Sequence, residues 1–329
     1  MLAVLLALAA AAGYGGGDFA AGLAARRASV VRVTVLAEVT SAALLLCVIP
    51  FISSQAPSLA SVLWGAVAGV SGVAGAMALY LGFRHAAFSV ASSVSAVGTA
   101  AFSVLAGLAL GERPAVLSLA GIVLAVPAIV GVSAPARQAS PALEPAVVGA
   151  GAVAVGGPQG LSGSGSSAGA APPGHDGAPG RRFRPAATGR HAAGVGWGLA
   201  AGAGFGLFFI GLNQAGSGTD LWPITISQLA AMVTVICVAV VTRDLGLPPA
   251  GTRRLSLLTG AAGAGGTAMF FFATHHGLLA ITAVITSLYP AVTILLARVL
   301  LAERLTPLRI AGLCFAAASV ALIAAGGAG

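Results

Sequence analysis

Polar positions are so sparse in this chain that its elements are marked by where the apolar runs stop. Ten runs approach the roughly 20 apolar residues that a membrane-spanning helix needs. They cover 2–24, 33–52, 59–81, 87–110, 116–132, 194–212, 221–241, 255–273, 279–301 and 309–325. Gly and Ala recur inside them, as at Gly65-x-x-x-Gly69 and Gly202-x-x-x-Gly206. Small residues suit helices that must approach closely within lipid. The pattern predicts an all-α integral membrane protein.

Between the fifth and sixth runs the pattern lapses into Pro, Gly, Ser and Ala. This stretch, 133–191, cannot bury a core and reads as a disordered linker. Its one apolar patch, 146–155, is too short to span, and no chemistry is assigned to His175 or Asp176. The run from Met1 lacks a basic n-region and continues past Gly13, so it is not expected to be cleaved as a signal peptide.

The two sides of the linker repeat each other. A shift of 191 aligns them without gaps. Gly13-Tyr14-Gly15 meets Gly204-Phe205-Gly206, and Gly69, Gly72 and Gly75 meet Gly260, Gly263 and Gly266. His85 meets His276, Leu110-Gly-Glu112-Arg113 meets Leu301-Ala-Glu303-Arg304, and Gly121 meets Gly312. Low complexity could match Gly and Ala by chance, but not His, Glu and Arg in the same register. The expected organisation is a first five-helix unit at 1–132, the linker at 133–191 and a second five-helix unit at 192–329. Five is odd, so the second unit must enter the membrane inverted.

Charge supports that arrangement. Only 7% of residues are charged, against 58% hydrophobic, with a net charge of +8. All 16 basic residues are Arg. The loops after the first, third, seventh and ninth runs carry Arg26, Arg27, Arg32, Arg84, Arg243, Arg253, Arg254, Arg304 and Arg309. The linker, on the same face, carries five more, while the opposite face has Arg113 alone. The positive-inside rule puts the Arg-rich face in the cytoplasm. Scattered loop arginines suit topology better than nucleic-acid binding, and no nucleic-acid partner is expected. Arg and Ala rising together suggest GC-rich coding, and the expected home is a bacterial inner or plasma membrane, with the lipid bilayer as partner. The three Cys fit no metal motif and read as packing residues. Neither metal nor cofactor is expected.

A charge inside a span normally faces a partner or a wet cavity. Three occur: Asp18, Glu38 and Arg298. Arg298 is about one turn from its helix end and can snorkel. Asp18 lies about 12 Å below Arg26, and Glu38 about 9 Å below Arg32, at 1.5 Å per residue. The two carboxylates therefore share a depth in adjacent antiparallel helices. Tyr14 lies one turn from Asp18, and Thr34 and Ser41 share the Glu38 face. Such carboxyls suit binding a proton or an amine; the alternative is pairing with a neighbouring Arg to hold helices together. Their positions in the second half are Phe209 and Leu229. There the polar groups are Thr282, Thr286, Tyr289 and Pro290, while Ser95, Thr99 and Ser103 line the fourth span and Gln228 the seventh. Pro290 releases the Thr286 carbonyl, which makes a ligand group, a hinge or an ordinary kink. His85 and His276 have no nucleophile or carboxylate set around them and read as structural. Glu112-Arg113 and Glu303-Arg304 read as local ion pairs at tight turns.

The repeat, the Gly-aromatic-Gly of each first helix and the Gly-Glu-Arg or Ala-Glu-Arg closing the fourth and ninth spans resemble EamA-type transporters of the drug/metabolite transporter superfamily. The resemblance covers nearly everything but the linker. It implies ten transmembrane helices as two inverted five-helix repeats around a central cavity. It also implies alternating-access transport of small metabolites, amino acids or drugs. Pro290 matches the family's ninth-helix proline, whereas the fourth helix has Thr99 in its place. The reading is a secondary transporter, proton coupling and efflux included, with Asp18 and Glu38 binding a proton or amine. Tyr14, Thr34, Ser95, Thr99, Gln228, Thr286, Tyr289 and Pro290 complete the small-molecule site. A chain without Lys has no Walker A motif. The rivals are an intramembrane enzyme using His85 or His276, and a channel or scaffold.

Overall fold

The computed structural model of the protein describes residues 1–52, 56–85, 88–133, 187–216, 220–302 and 305–326. Their regular structure is helical. In chain order the helices are α1 (Leu2–Ala25), α2 (Val30–Ile52), α3 (Leu59–His85), α4 (Phe88–Ala109), α5 (Val116–Val132) and α6 (Ala187–Gln214). There follow α7 (Trp222–Val241), α8 (Ala250–His275), α9 (Leu279–Thr286), α10 (Tyr289–Leu300) and α11 (Pro307–Gly326). Eight stretches are long and apolar enough to cross a membrane, α9 and α10 together forming one of them. Val94–Ala109 and Val116–Val132 are shorter apolar helices, which brings the spans to the ten expected.

Three expectations need correction. First, the ninth run is not one helix. Pro290 has no N–H to return to Thr286, and the chain tightens at the break. Ser287 N–H donates to Ala283, Leu288 N–H to Ile285 and Ala291 N–H to Leu288. Second, α6 begins at Ala187, inside the stretch expected as linker; the linker before it, with His175 and Asp176, lies outside the described residues. Third, Cys47, Cys237 and Cys314 are exposed on outer helix faces rather than packed inside.

Packing joins the two units to each other more than it joins helices within a unit. Helix α3 packs on α6 and α7, and α8 packs on α1 and α2. Helix α4 packs on α6, and α9 and α10 pack on α1. The remaining main pairs are α5 with α11, α2 with α7 and α4 with α9. Exchange every helix for its mate 191 residues away, and this set maps onto itself. Lipid supplies no hydrophobic force between helices, so close van der Waals contact must hold them. The glycines permit it. A Cβ on Gly13 would sit 2.8 Å from the Gly266 Cα, and one on Gly204 would sit 2.6 Å from the Gly75 Cα. These are the same crossing, made twice.

The register of these contacts sets direction. Gly13 meets Gly266 while Gly17 meets Ala262, so α1 and α8 are antiparallel. Gly72 meets Phe208 while Gly75 meets Phe205, so α3 and α6 are antiparallel. Gly65 meets Pro223 while Gly69 meets Ser227, so α3 and α7 are parallel. A short turn reverses the chain between α7 and α8. It follows that α1 and α6 point opposite ways.

At the Arg-rich end the α1–α2 turn is tied to the α7–α8 turn. The Ser29 hydroxyl donates to Asp244 Oδ2, and Arg32 Nε donates to Asp244 Oδ1 at 2.7 Å. The Ser29 hydrogen bond and the Arg32 guanidinium together hold the Asp244 carboxyl below its ordinary range, against some desolvation. A depressed carboxyl stabilises the fold above its unfolded pKa and loses that contribution as pH falls through its folded value. The link is expected to be intact at neutral pH and to fail only below about pH 4. Acid unfolding curves of wild type and Asp244→Asn check this: the variant should be less stable at pH 7, and the gap should close in acid. A gap that persists unchanged at low pH counts against the link.

Candidate functional site

Helix α1 buries one side and gives the other to lipid. At 100° per residue Ala7, Ala11, Tyr14 and Asp18 fall within an arc of about 60°. Leu5, Ala9 and Ala12 lie on the opposite, exposed side. Along the inward arc Ala7 is 0% and Ala11 3% exposed. Tyr14 is half-buried and Asp18 exposed. Beyond it, a side-chain carbon on Gly22 would meet nothing within 4 Å. An inward face that is sealed at Ala11 and open at Asp18 is a candidate vestibule wall. It opens toward the end carrying Arg26, Arg27 and Asp244.

The broken span has the same boundary. In α9 all residues except Ile281 are buried, whereas α10 has no buried residue. The break at Ser287 and Leu288 marks where the sealed half meets the open half. Gly15 lies against the Tyr289 carbonyl and Val292, and the Thr293 hydroxyl donates to Gly15 O at 3.0 Å. The floor of the vestibule is therefore at the level of Tyr14 and Tyr289.

Glu38 enters from α2 on the buried face it shares with Ala37, Ser41 and Leu45. It is half-buried, and its Oε2 is enclosed with no hydrogen-bond partner. The Tyr14 hydroxyl lies within electrostatic reach of both Glu38 and Asp18 and donates to Thr267 Oγ1 at 3.1 Å. Among the described residues an ion pair joins Arg32 to Asp244. The alternative in which Asp18 or Glu38 pairs with an Arg finds no counterpart there.

The other expected site residues are elsewhere. Thr34 is near Glu38, but its hydroxyl donates to Val30 O at 2.9 Å. Ser95 and Thr99 are buried where Gly202 and Gly206 of α6 press on α4. Thr99 donates to Ser95 O, and Ser95 Oγ has no partner. Gln228 is buried on α7, and Thr286 is buried with its hydroxyl toward Ala7 O. Tyr289 and Pro290 start α10, half-buried. Asp18 and Glu38 thus lie within electrostatic reach of Tyr14, the Tyr289 carbonyl lies against Gly15, and the serines and threonines of α4 and α9 are enclosed in packing. Arg298 is exposed in the last turn of α10. An apolar groove lined by Ala66, Val67, Val70, Ser71 and Leu207 lies apart, on the outer side of α3 and α6.

The sealed end is held by residues read differently from the sequence. Glu112 is not in a local ion pair: Oε1 accepts from Leu279 N–H and Oε2 from Ala280 N–H at 2.9 Å. Arg113 donates to the Glu112 carbonyl instead. A carboxylate from the α4–α5 turn therefore caps α9 across the molecule. His275 sits between two carbonyls, Phe271 O at 2.8 Å and Gly216 O at 2.6 Å, and ties α8 to the end of α6. His276 is exposed. Glu303 and Arg304 lie outside the described residues. Thr267 was not foreseen as a site residue, though its place one turn before the aromatic run Phe270–Phe272 on α8 was readable.

The pattern of the EamA-like transporter family matches residues 1–134 and 192–325. None of the curated proteins matches the chain. A solved structure, described only as the crystal structure of a protein, aligns with 97% of this chain and 95% of its own at a TM-score of 0.70 and 12% identity. That likeness concerns the fold alone.

Proposed function

Since the chain belongs to the EamA-like transporter family of membrane proteins, we propose that it is a secondary carrier whose substrate enters the vestibule at Asp18 and Glu38. The observation that supports this most is the inward face of α1, sealed at Ala11 and open at Asp18. A channel would be open along the whole arc. A carrier needs a site that reaches one side at a time. The two crossings at Gly13 with Gly266 and Gly204 with Gly75 offer two equivalent interfaces about which the units can rock. The Arg bias favours a vestibule that faces the cytoplasm in this state, which suits loading for export. Asp18 and Glu38 would carry the coupling proton or the substrate's own charge. Tyr14, Thr267 and Tyr289 would form the floor, and Ser95, Thr99, Gln228 and Thr286 would be exposed only when the sealed half opens.

Flux into proteoliposomes tests the reading. Uptake of small metabolites, amino acids and drugs should include compounds that saturate and require a gradient. Asp18→Asn and Glu38→Gln should each reduce that flux at least tenfold, as expected when a charge-assisted contact of about 1.5–3 kcal/mol is lost. Flux linear in concentration would identify a channel, and normal flux in both variants would remove these residues from the site.

A further inference from the structure

We propose, resting on the carrier reading, that the substrate is an organic monocation: a protonated amine on an apolar body. The two acidic side chains of the vestibule come from consecutive helices: Asp18 lies one turn from Tyr14 on α1, Glu38 lies on the buried face of α2, and the Tyr14 hydroxyl is within electrostatic reach of both. The nearest basic residue along α2, Arg32, is engaged by Asp244. Arg26 and Arg27 stand exposed at the rim. The vestibule therefore presents two acidic groups, while Arg298, on its α10 wall, stands exposed in the last turn of that helix and is engaged by a partner of its own; a cationic ligand would balance the two carboxyls. A ligand carboxylate or phosphate would instead meet like charge.

Hydrogen bonding selects in the same direction. The hydroxyl of Tyr14 donates to Thr267, Thr34 to Val30 O, Thr293 to Gly15 O and Thr259 to Leu255 O. Four donors that could have bound an anion are thus occupied by the protein itself. Glu38 Oε2, an enclosed acceptor without a donor, is left over. An ammonium supplies donors and charge together. A bare metal ion fits poorly, because Ca²⁺ or Mg²⁺ takes about six or more oxygens. No group of three or more His, Cys, Asp or Glu gathers among the described residues. The apolar body is matched by Ala21 and Gly22 beside Asp18 and by the Tyr14 ring on the floor, which packs 6.3 Å from Phe209.

The test uses the full chain in detergent and three probes with one body and different charge: phenethylamine, phenylalanine and 3-phenylpropanoate. Calorimetry should show phenethylamine binding at least about tenfold tighter than phenylalanine and 3-phenylpropanoate not binding. Asp18→Asn and Glu38→Gln should each weaken phenethylamine about tenfold. The proposal is overturned if phenethylamine does not bind at millimolar concentration, if either other probe binds as well, or if neither substitution weakens it. Proteoliposome flux of the same probes separates this from the carrier reading. Saturable flux of phenylalanine or 3-phenylpropanoate without phenethylamine binding ends the monocation proposal and leaves the carrier. Binding of phenethylamine with no flux of any probe does the reverse.

Discussion

Replacing Glu112 by Ala is expected to unseal the closed end of the molecule. Helix α9 begins after Leu278, which has an extended backbone and offers no side-chain cap. Its first N–H groups would have no partner from the helix itself. Leu279 and Ala280 are 0% exposed, so water cannot serve them either. The Glu112 carboxylate serves both. Removing it leaves two buried donors, each costing about 1–3 kcal/mol. A loss of about 3 kcal/mol shifts the balance between sealed and open forms roughly a hundredfold. A cysteine at Thr282, which is 0% exposed beneath the cap, reports on the seal once Cys47, Cys237 and Cys314 are replaced. A membrane-impermeant maleimide added from the Glu112 side should label Glu112→Ala at least tenfold faster than the parent. Glu112→Gln keeps one acceptor and should fall between. Gly107→Ala provides an independent check, because its Cβ would collide with the Glu112 carboxylate. Equal labelling of all four folded proteins would show that the cap does not hold the seal.

The second large effect concerns the paired glycine crossings. Gly13→Ala and Gly204→Ala should each destabilise the protein, and by similar amounts. Both place a methyl under 3.0 Å from backbone atoms of the facing helix. Backbone cannot rotate away, so the helices must separate, at an overpacking cost of about 1–3 kcal/mol. Gly16→Ala is the control, since its added carbon meets nothing within 4 Å and Ala is the better helix former. Thermal unfolding in detergent should lower Tm for Gly13→Ala and Gly204→Ala and leave it level or higher for Gly16→Ala. A large drop at one crossing and none at the other would mean that the two contacts are not equivalent.

What was legible in the sequence was whatever depends on composition and spacing along one helix. Uninterrupted apolar length predicts the spans, and the shift of 191 predicts which helices correspond. Residue spacing predicts one depth for Asp18 and Glu38, because two antiparallel helices joined by a tight turn leave little freedom. Pro290 signalled a disturbance, but its depth relative to the sealed half depends on neighbouring helices. Partners distant in sequence were not legible. Glu112 finds its N–H groups 167 and 168 positions downstream, so next to Arg113 it read as half of a local pair. The hydroxyl stripes of α4 and α9 were visible as helical periodicity. Whether they line space or are enclosed is a property of the conformation, which no spacing encodes.

The crossing of α1 with α8 also bears on how the chain is made. Tyr14 and Thr267 are separated by 253 residues. At about 5–20 residues per second, synthesis of that interval takes roughly 13–50 s. Throughout it the glycine face of α1 is in the bilayer without the helix that fits it, and α3 likewise precedes α6. Neighbours within the first unit pack only lightly on one another, so that half has little to condense around. Insertion must therefore come first and assembly second, with the first five spans surviving as separate helices in lipid until the ribosome delivers their counterparts.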